Sequence, residues 1–316
     1  MRRWWLKTKL RLYRGWLRVQ WLLEAAAIYL ILALCKALGI DRASSVGGYI
    51  ARKLGPLIAV SGLARRQIEA AYPGIDPDER DRIVRGVWDN FGRYFTEYAH
   101  LATLWPQGLD TEAPPPGSRV ELDPGVVERF LEIRDDGKPA IIFTGHIGNW
   151  EILGAGAAHY HLNLAAMFRA PNNPIAEKLL LGIRGEAMGK LIPTGYQAAL
   201  VAARVLEQGG HLGMLVDQHF SRGVSVPFFG RKVKTATTLA KLARRFQCPV
   251  YGAWAERIEG CKFRVHMTEA LDFTEEYEMA DARAAEVAIT AKVTAVIEDW
   301  VRARPDQWNW LHRRWR

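Results

Sequence analysis

Apolar positions change period along the chain, and the change divides it into regions of different secondary structure. Val84, Val87, Trp88, Phe91, Phe95 and Tyr98 recur at three- and four-residue spacing, which predicts one apolar face of a helix. The segment before them, "YPGIDPDER", reads as a turn and a helix start: Asp76 can cap, and Pro77 suits the first helical position. Residues from about 43 to 104 are predicted to be mostly helical. A linker-like break, "APPPG" at 113–117, follows. Beyond it come short apolar runs of strand length, at Arg119–Leu122, Ala140–Phe143, Leu164–Phe168, Leu191–Pro193, Leu212–Val216, Pro249–Ala255 and Phe263–Met267. Helical patterns separate most of them. That alternation implies an α/β fold, a mainly parallel sheet flanked by helices. The sequence contains no internal repeat and no low-complexity tract.

The N-terminus breaks this pattern. Arg2, Arg3, Lys7, Lys9, Arg11, Arg14 and Arg18 are interleaved with Trp4, Trp5, Trp16 and Trp21, and no acid appears before Glu24. An apolar run, "AAAIYLILALC", follows. Tryptophan beside arginine and lysine is the composition of a membrane interface, where rings sit at headgroup level and cations meet anionic lipid. A nucleic-acid arm shares the charge but not the apolar continuation, and no small-residue cleavage site marks a signal peptide. The uninterrupted run Ala25–Cys35 is shorter than the roughly 20 apolar residues of a span. An interfacial anchor, a true span and a helix of the soluble fold therefore all stay open. The basic residues would keep this end on the cytoplasmic side. The expected organisation is a membrane-associating segment over 1–40, an N-terminal helical anchor, and one catalytic domain over 41–316.

Charge and cysteine content narrow the partners. A formal net charge of +9 favours anionic partners such as phospholipid headgroups or phosphorylated substrates. The three cysteines, Cys35, Cys248 and Cys261, lack metal-ligand spacing and form no disulfide framework, which fits a reducing compartment.

The stretch most suggestive of chemistry is "FTGHIGNWE", residues 143–151, at the end of a predicted strand. On a continuous helix His146 and Glu151, five residues apart, would diverge by about 140°. They can meet if His146 lies in the strand-to-helix turn and Glu151 in the helix's first turn. A carboxylate on one imidazole nitrogen fixes the tautomer and leaves the other as a general base. Gly145 and Gly148 permit close backbone approach, and helix-start amides near 148–150 are candidate oxyanion donors. From spacing alone, a capping Asn149 beside a structural histidine explains the stretch as well.

These residues resemble the bacterial lipid A biosynthesis acyltransferases, the lauroyl/myristoyl late acyltransferases of the wider lysophospholipid acyltransferase superfamily. The family's "GHxGNWE" block stands complete as Gly145-His146-Ile147-Gly148-Asn149-Trp150-Glu151. "FRAPNNP" (168–174) is similar to the family's "RPxxNP" segment and places Arg169 at its arginine. "LVDQHF" (215–220) carries Asp217 and Gln218. "VPFFGRKVKTATTLAKLA" and the C-terminal "WNWLHRRW" match further family segments, with Thr238 where glycine is common. The likeness covers about residues 20–316.

The resemblance implies transfer of an acyl group from an acyl carrier protein thioester to a hydroxyl of a lipid A precursor, in lipopolysaccharide biosynthesis at the cytoplasmic face of the inner membrane. It implies His146 as base, Glu151 as its orienting acid, and Asn149, Arg169, Asp217, Gln218, Phe228 and Phe229 at the substrate. Asp217 is expected to orient Arg169 or an acceptor hydroxyl, or to cap a turn. Arg222, Arg231, Lys232 and Lys234 would suit sugar phosphates or the acidic carrier protein, or form an ordinary solvated loop. No cofactor, metal or nucleic-acid partner is expected. Another glycolipid or phospholipid acceptor, a thioester hydrolase of the same architecture and a non-catalytic lipid-binding protein are the alternatives.

Overall fold

Seven strands build the central sheet of the computed structural model: β1 (Val120–Leu122), β2 (Ile141–Thr144), β3 (Leu164–Phe168), β4 (Lys190–Pro193), β5 (His211–Leu215), β8 (Val250–Glu259) and β9 (Lys262–Met267), in the order β1-β9-β8-β2-β5-β3-β4. A hairpin, β6 (Val224–Phe228) with β7 (Arg231–Thr235), stands apart from it. The structure describes residues 2–105, 114–169, 171–195 and 197–315, and the side chains of 2–8, 10–12 and 186 are outside that description. The expected roles of Arg2, Arg3, Trp4, Trp5, Lys7 and Arg11, and the first residue of the linker-like break, Ala113, thus lie outside the described residues.

The strand from β8 through β4 are mutually parallel, β9 is antiparallel to β8, and β1 runs parallel to β9. The sheet is buried on both faces because alternate residues serve different cores. In β2, Ile141 and Phe143 pack with Leu212, Leu239 and Ile297, while Ile142 packs on the opposite face with Phe130 and Ile152. Helices cover both faces: α5 (Val126–Asp135), α6 (Glu151–His159) and α7 (Pro174–Met188) contribute to one core, and α8 (Ala198–Glu207), α9 (Thr238–Phe246) and α11 (Ala282–Ala303) to the other. The short α10 (Thr274–Glu278) leads into α11.

The N-terminal third is helical, as its periodicity predicts: α1 (Arg2–Leu38), α2 (Ile40–Leu54), α3 (Ser61–Ala71) and α4 (Pro77–Glu97). Asp76 caps α4 by accepting from the amides of Asp78 and Glu79, with Pro77 in the first turn. Val84, Val87 and Trp88 are buried on the expected face, and Tyr98 is buried in the 3₁₀ turn that follows, but Phe95 is 55% exposed. The segment Tyr13–Leu38 of α1 is long and apolar enough to cross a membrane by length and composition. One side of it is docked on the body, where Asn173 Nδ2 donates to Trp21 O and Cys35 O meets His100 Nε2 at 3.0 Å. The other side exposes Trp16, Leu22, Leu23, Tyr29, Leu30 and Leu34.

The β6–β7 hairpin corrects the alternative of an ordinary solvated loop for Arg231, Lys232 and Lys234, which lie on strand β7. Val224, Val226 and Phe228 alternate with exposed Ser225 and Pro227, a strand pattern that Pro227 disguises. Phe229 and Gly230 form its two-residue turn, both at positive φ (52° and 68°), which the mirror-image hairpin turns require. Phe229 holds that uncommon backbone while its amide donates to Glu298 Oε2 at 2.6 Å.

Candidate active site

β2 and β5 are hydrogen-bonded neighbours in parallel register, with Thr144 opposite Leu215. Two residues beyond those positions come His146 and Asp217. Register alone therefore brings them together outside the carboxyl ends of two central strands, where open α/β sheets bind ligands. The His146 ring nitrogen Nδ1 lies 2.7 Å from Asp217 Oδ1, and the His146 amide donates to Asp217 Oδ2 at 2.8 Å. The indole N–H of Trp308 donates to the same Oδ2 at 2.8 Å. Burial by itself would raise the Asp217 carboxyl. The charge and hydrogen bond of His146, with a smaller pull from His312 and the bond from the His146 amide, hold it well below the usual carboxylate range. An ionised Asp217 can only accept, so Nδ1 must carry the proton and donate. In neutral His146 the lone pair is then on Nε2, where Gln218 Nε2 stands 3.2 Å away. The imidazole edge is 17% exposed and Asp217 is 1% exposed, so the acid is sealed and the base is reachable.

Glu151 takes a different partner from the expected one. It opens α6, and its carboxylate receives the Tyr94 hydroxyl at 2.9 Å on Oε1 and a forked pair from Arg184, Nε to Oε2 at 3.1 Å and Nη2 to Oε1. The reading of Glu151 as the acid that orients His146 is thus corrected. The turn Gly145–Trp150 separates the two side chains, and Arg184 of α7 uses both Glu151 oxygens. Between His146 and Glu151 lies the Trp150 ring, edge-on to the imidazole at 5.0 Å between centroids. Burial would lower the Arg184 guanidinium, but the Glu151 charge and hydrogen bonds raise it above its ordinary value.

The turn's backbone is also committed. Gly148 sits at φ 59°, and an added Cβ would fall 1.8 Å from Ala255 O. Its amide donates to Gln307 O at 3.1 Å, and the Asn149 amide to Ala255 O at 3.3 Å. These two helix-start amides, expected as oxyanion donors, are spent on fastening the turn to β8 and the C-terminal tail. Asn149, expected at the substrate, is fully buried and gives its side-chain N–H to Glu97, which is held in turn by Arg257 and Ser44. Phe228 and Phe229 are likewise buried among Trp308, Trp310, Tyr72 and Trp315. They support the tail that holds Asp217, and neither lines the cavities beside His146. Arg169 follows β3 and is exposed, and it lines an apolar groove next to α1.

The C-terminal tail contributes more than local packing. Ile147 pairs with Trp308 as an antiparallel bridge, and the Asn309 amide donates to His146 O at 2.9 Å. Buried Arg314 donates to Gln218 O at 3.0 Å and to Thr235 Oγ1 at 2.8 Å, joining Gln218 to the hairpin. His312 sits 6.2 Å from the His146 ring with both its nitrogens shut off and unpartnered among the described residues. Burial pushes it down to about 4, against the pull of Asp217. None of Trp308, His312 and Arg184 is named as a site residue in the sequence analysis. The repeated tryptophans of "WNWLHRRW" were the available signal for Trp308, while nothing local marks Arg184 as the partner of Glu151.

A slot lined by Thr144, Trp150, Leu153, Gly154, Met188 and Phe168 runs inward from the His146 turn between α6, α7 and the sheet. Its walls are almost wholly apolar, which suits a hydrocarbon chain. Among the described residues no cluster of His, Cys, Asp and Glu has metal-binding geometry.

An exposed imidazole edge backed by a sealed carboxylate, next to an apolar slot, is an arrangement for acid–base work on a substrate with a hydrocarbon part. No curated protein matches the chain. A family model described as bacterial lipid A biosynthesis acyltransferase matches residues 7–316, essentially the whole length. The chain belongs to that family, and its class of activity is acyl transfer.

Proposed function

We propose that this protein transfers an acyl group from an acyl carrier protein thioester to a hydroxyl of a lipid A precursor, on the cytoplasmic face of the inner membrane. The observation that supports the reading best is the aligned set Asp217–His146, with Nε2 directed to the open side and the apolar slot beginning at Trp150. The acceptor hydroxyl displaces Gln218 from Nε2 and gives its proton to His146 as its oxygen attacks the thioester carbonyl carbon. Asp217 holds the ring and stabilises the imidazolium. When the tetrahedral intermediate collapses, the carbon–sulfur bond breaks and the leaving thiolate takes the proton from His146. No covalent enzyme intermediate is needed, since among the described residues the hydrogen-bond partner at Nε2 is Gln218 and not a serine or cysteine. General base catalysis of this kind contributes about 10²–10⁴-fold. The Gln218 amide is a side-chain donor beside the reacting atoms, and it takes up the oxyanion role that the amides of Gly148 and Asn149 are not free to fill.

Glu151 and Arg184 then act on shape. Their pair ties the start of α6 to α7 and fixes one wall of the slot that receives the donor chain. The 1–40 segment supplies membrane attachment through the exposed apolar side of α1 and the cations before it, and residues 41–316 form the catalytic domain. The test is incubation of the purified protein with acyl carrier protein thioester and a lipid A precursor in detergent, read by mass spectrometry. Expected is a mass gain of one acyl group on the precursor, dependent on His146. Release of free fatty acid with the precursor unchanged would instead make the protein a thioester hydrolase.

A further inference from the structure

A second apolar cavity opens on the outer side of Arg184. It is bounded by Ile28, Ile31 and Leu32 of α1, by Phe95, and by Leu180 and Leu181 of α7, with Arg169 and Glu177 as polar members. It is the roomier of the two, about 350 Å³ against about 80 Å³ for the inner slot. Among the described residues the two share only Phe168 and Arg184 as lining residues. Arg184, held by Glu151, lies over the rings of Phe168 at 5.8 Å and Tyr98 at 5.7 Å, so the wall between them is a fixed charged side chain.

We propose that this outer groove binds an acyl chain of the bilayer-resident acceptor, while the inner slot takes the donor chain. The assignment rests on the acyl-transfer reading above. The thioester carbonyl must lie at His146, so the chain attached to it starts at Trp150 and continues into the inner slot. To reach the outer groove it would have to part Arg184 from Glu151. The acceptor comes from the other direction, with its chains in the layer that α1 faces. Ile31 is 55% exposed on α1 and also lines the groove, so the groove's edge is continuous with the apolar side formed by Leu30 and Leu34. Phe95 lies on the otherwise buried face of α4 and is exposed at this place. Large apolar groups gathered on an open groove mark a surface that something apolar covers. The continuity with a helix of membrane-spanning length selects a lipid chain as that occupant.

The experiment uses the full chain in anionic vesicles with a lipid A precursor that carries a diazirine in one acyl chain. Irradiation should label peptides containing residues 28–32, 95 and 180–181. Labelling needs no turnover. A labelled groove in a preparation that transfers no acyl group would keep the groove and overturn the proposed reaction. Transfer accompanied by label confined to the Gly154 and Met188 peptides, or by no label, would overturn the groove. Kinetics give the second arm. Leu180→Trp fills space worth about two methylenes and should raise the KM for vesicle-borne acceptor about tenfold, leaving the donor chain-length profile as it was. Gly154→Leu points a side chain at Met188, whose sulfur would stand 3.0 Å from the new Cβ, and should shift the donor profile to shorter chains. A Leu180→Trp protein with altered donor preference and unchanged acceptor KM would assign the groove to the donor and end the proposal.

Discussion

Two buried carboxylates flank the same turn and are used in opposite ways. Asp217, at the end of β5, meets an imidazole that keeps one nitrogen open to the outside. Glu151, at the start of α6, meets a guanidinium and a phenol that use up both of its oxygens. The first pair has a proton to move and a place to move it. The second has a fixed charge balance, with a donor on each oxygen of the carboxylate. A histidine followed five positions later by an acid looks like one unit in the sequence, but in the fold the two side chains face different partners, and the proposed reaction uses only the first.

The comparison predicts opposite signatures on substitution. His146→Ala should lower kcat by about 10²–10⁴-fold. Asp217→Asn should cost a similar factor, because an amide that donates to Nδ1 places the ring proton on Nε2 and removes the base. Both should leave acceptor KM near its original value. Initial rates with purified thioester and precursor measure this, and an Asp217→Asn protein with normal kcat would dissolve the proposed pair.

Glu151→Gln should act first on stability. Breaking one side of a buried ion pair strands the other charge and costs about 3–5 kcal/mol. Glu151 is 4% exposed, and Arg184, packed against Tyr98 and Phe168, is 19% exposed, which places the expected cost at the lower end of that range. A lowered Tm should be largely restored in Glu151→Gln/Arg184→Met, where no lone cation remains, and turnover should recover with it. Loss of turnover at unchanged Tm, with no recovery in the double variant, would return Glu151 to the chemistry.

What was legible in the chain follows the same division. The seven sheet strands could be read because each is a short apolar run bounded by turn residues, and the α4 start because Asp76 and Pro77 are local signals. The His146 turn could be read because a glycine-flanked histidine after a strand is local too. The Asp217 pairing could not, since it joins residues 71 apart through strand order, and order is set by how crossover helices pack. The same holds for Arg184 on Glu151 and Trp308 on Asp217, 33 and 91 residues apart. Phe95 failed for a different reason: periodicity marks an apolar face but does not say what covers it.

His312 offers a second contrast, between a histidine with a carboxylate and one without. Its folded value of about 4 lies below the ordinary 6.5, with Asp217, His146 and Arg314 as its charged neighbours. Between these values the unfolded chain binds a proton that the folded chain does not, so stability falls as pH drops from 6.5 to 4 and levels off below that. The shift amounts to about 3 kcal/mol over that window. Asp217 adds no slope there, because its depressed carboxyl gives up its contribution only at lower pH. His312→Phe should therefore flatten the urea-unfolding free energy between pH 6.5 and 4 by that amount. An unchanged slope would mean that the ring gains a partner on protonation.

The smallest effect should come from Trp308→Phe, and it bears on whether the tail only clamps the turn or also tunes the base. Phenylalanine keeps most of the buried ring against Phe228 and Trp310 and removes one donor from Asp217 Oδ2. Oδ2 still accepts from the His146 amide, so the carboxylate stays in place. Hydrogen bonds to charged groups contribute about 1.5–3 kcal/mol, and part of that is retained by the remaining donors, so kcat should fall about tenfold. Donor and acceptor KM should hold, because Trp308 lines neither cavity. A lower Tm with unchanged kcat would reduce Trp308 to a clamp, and the base would then be set by Asp217 alone.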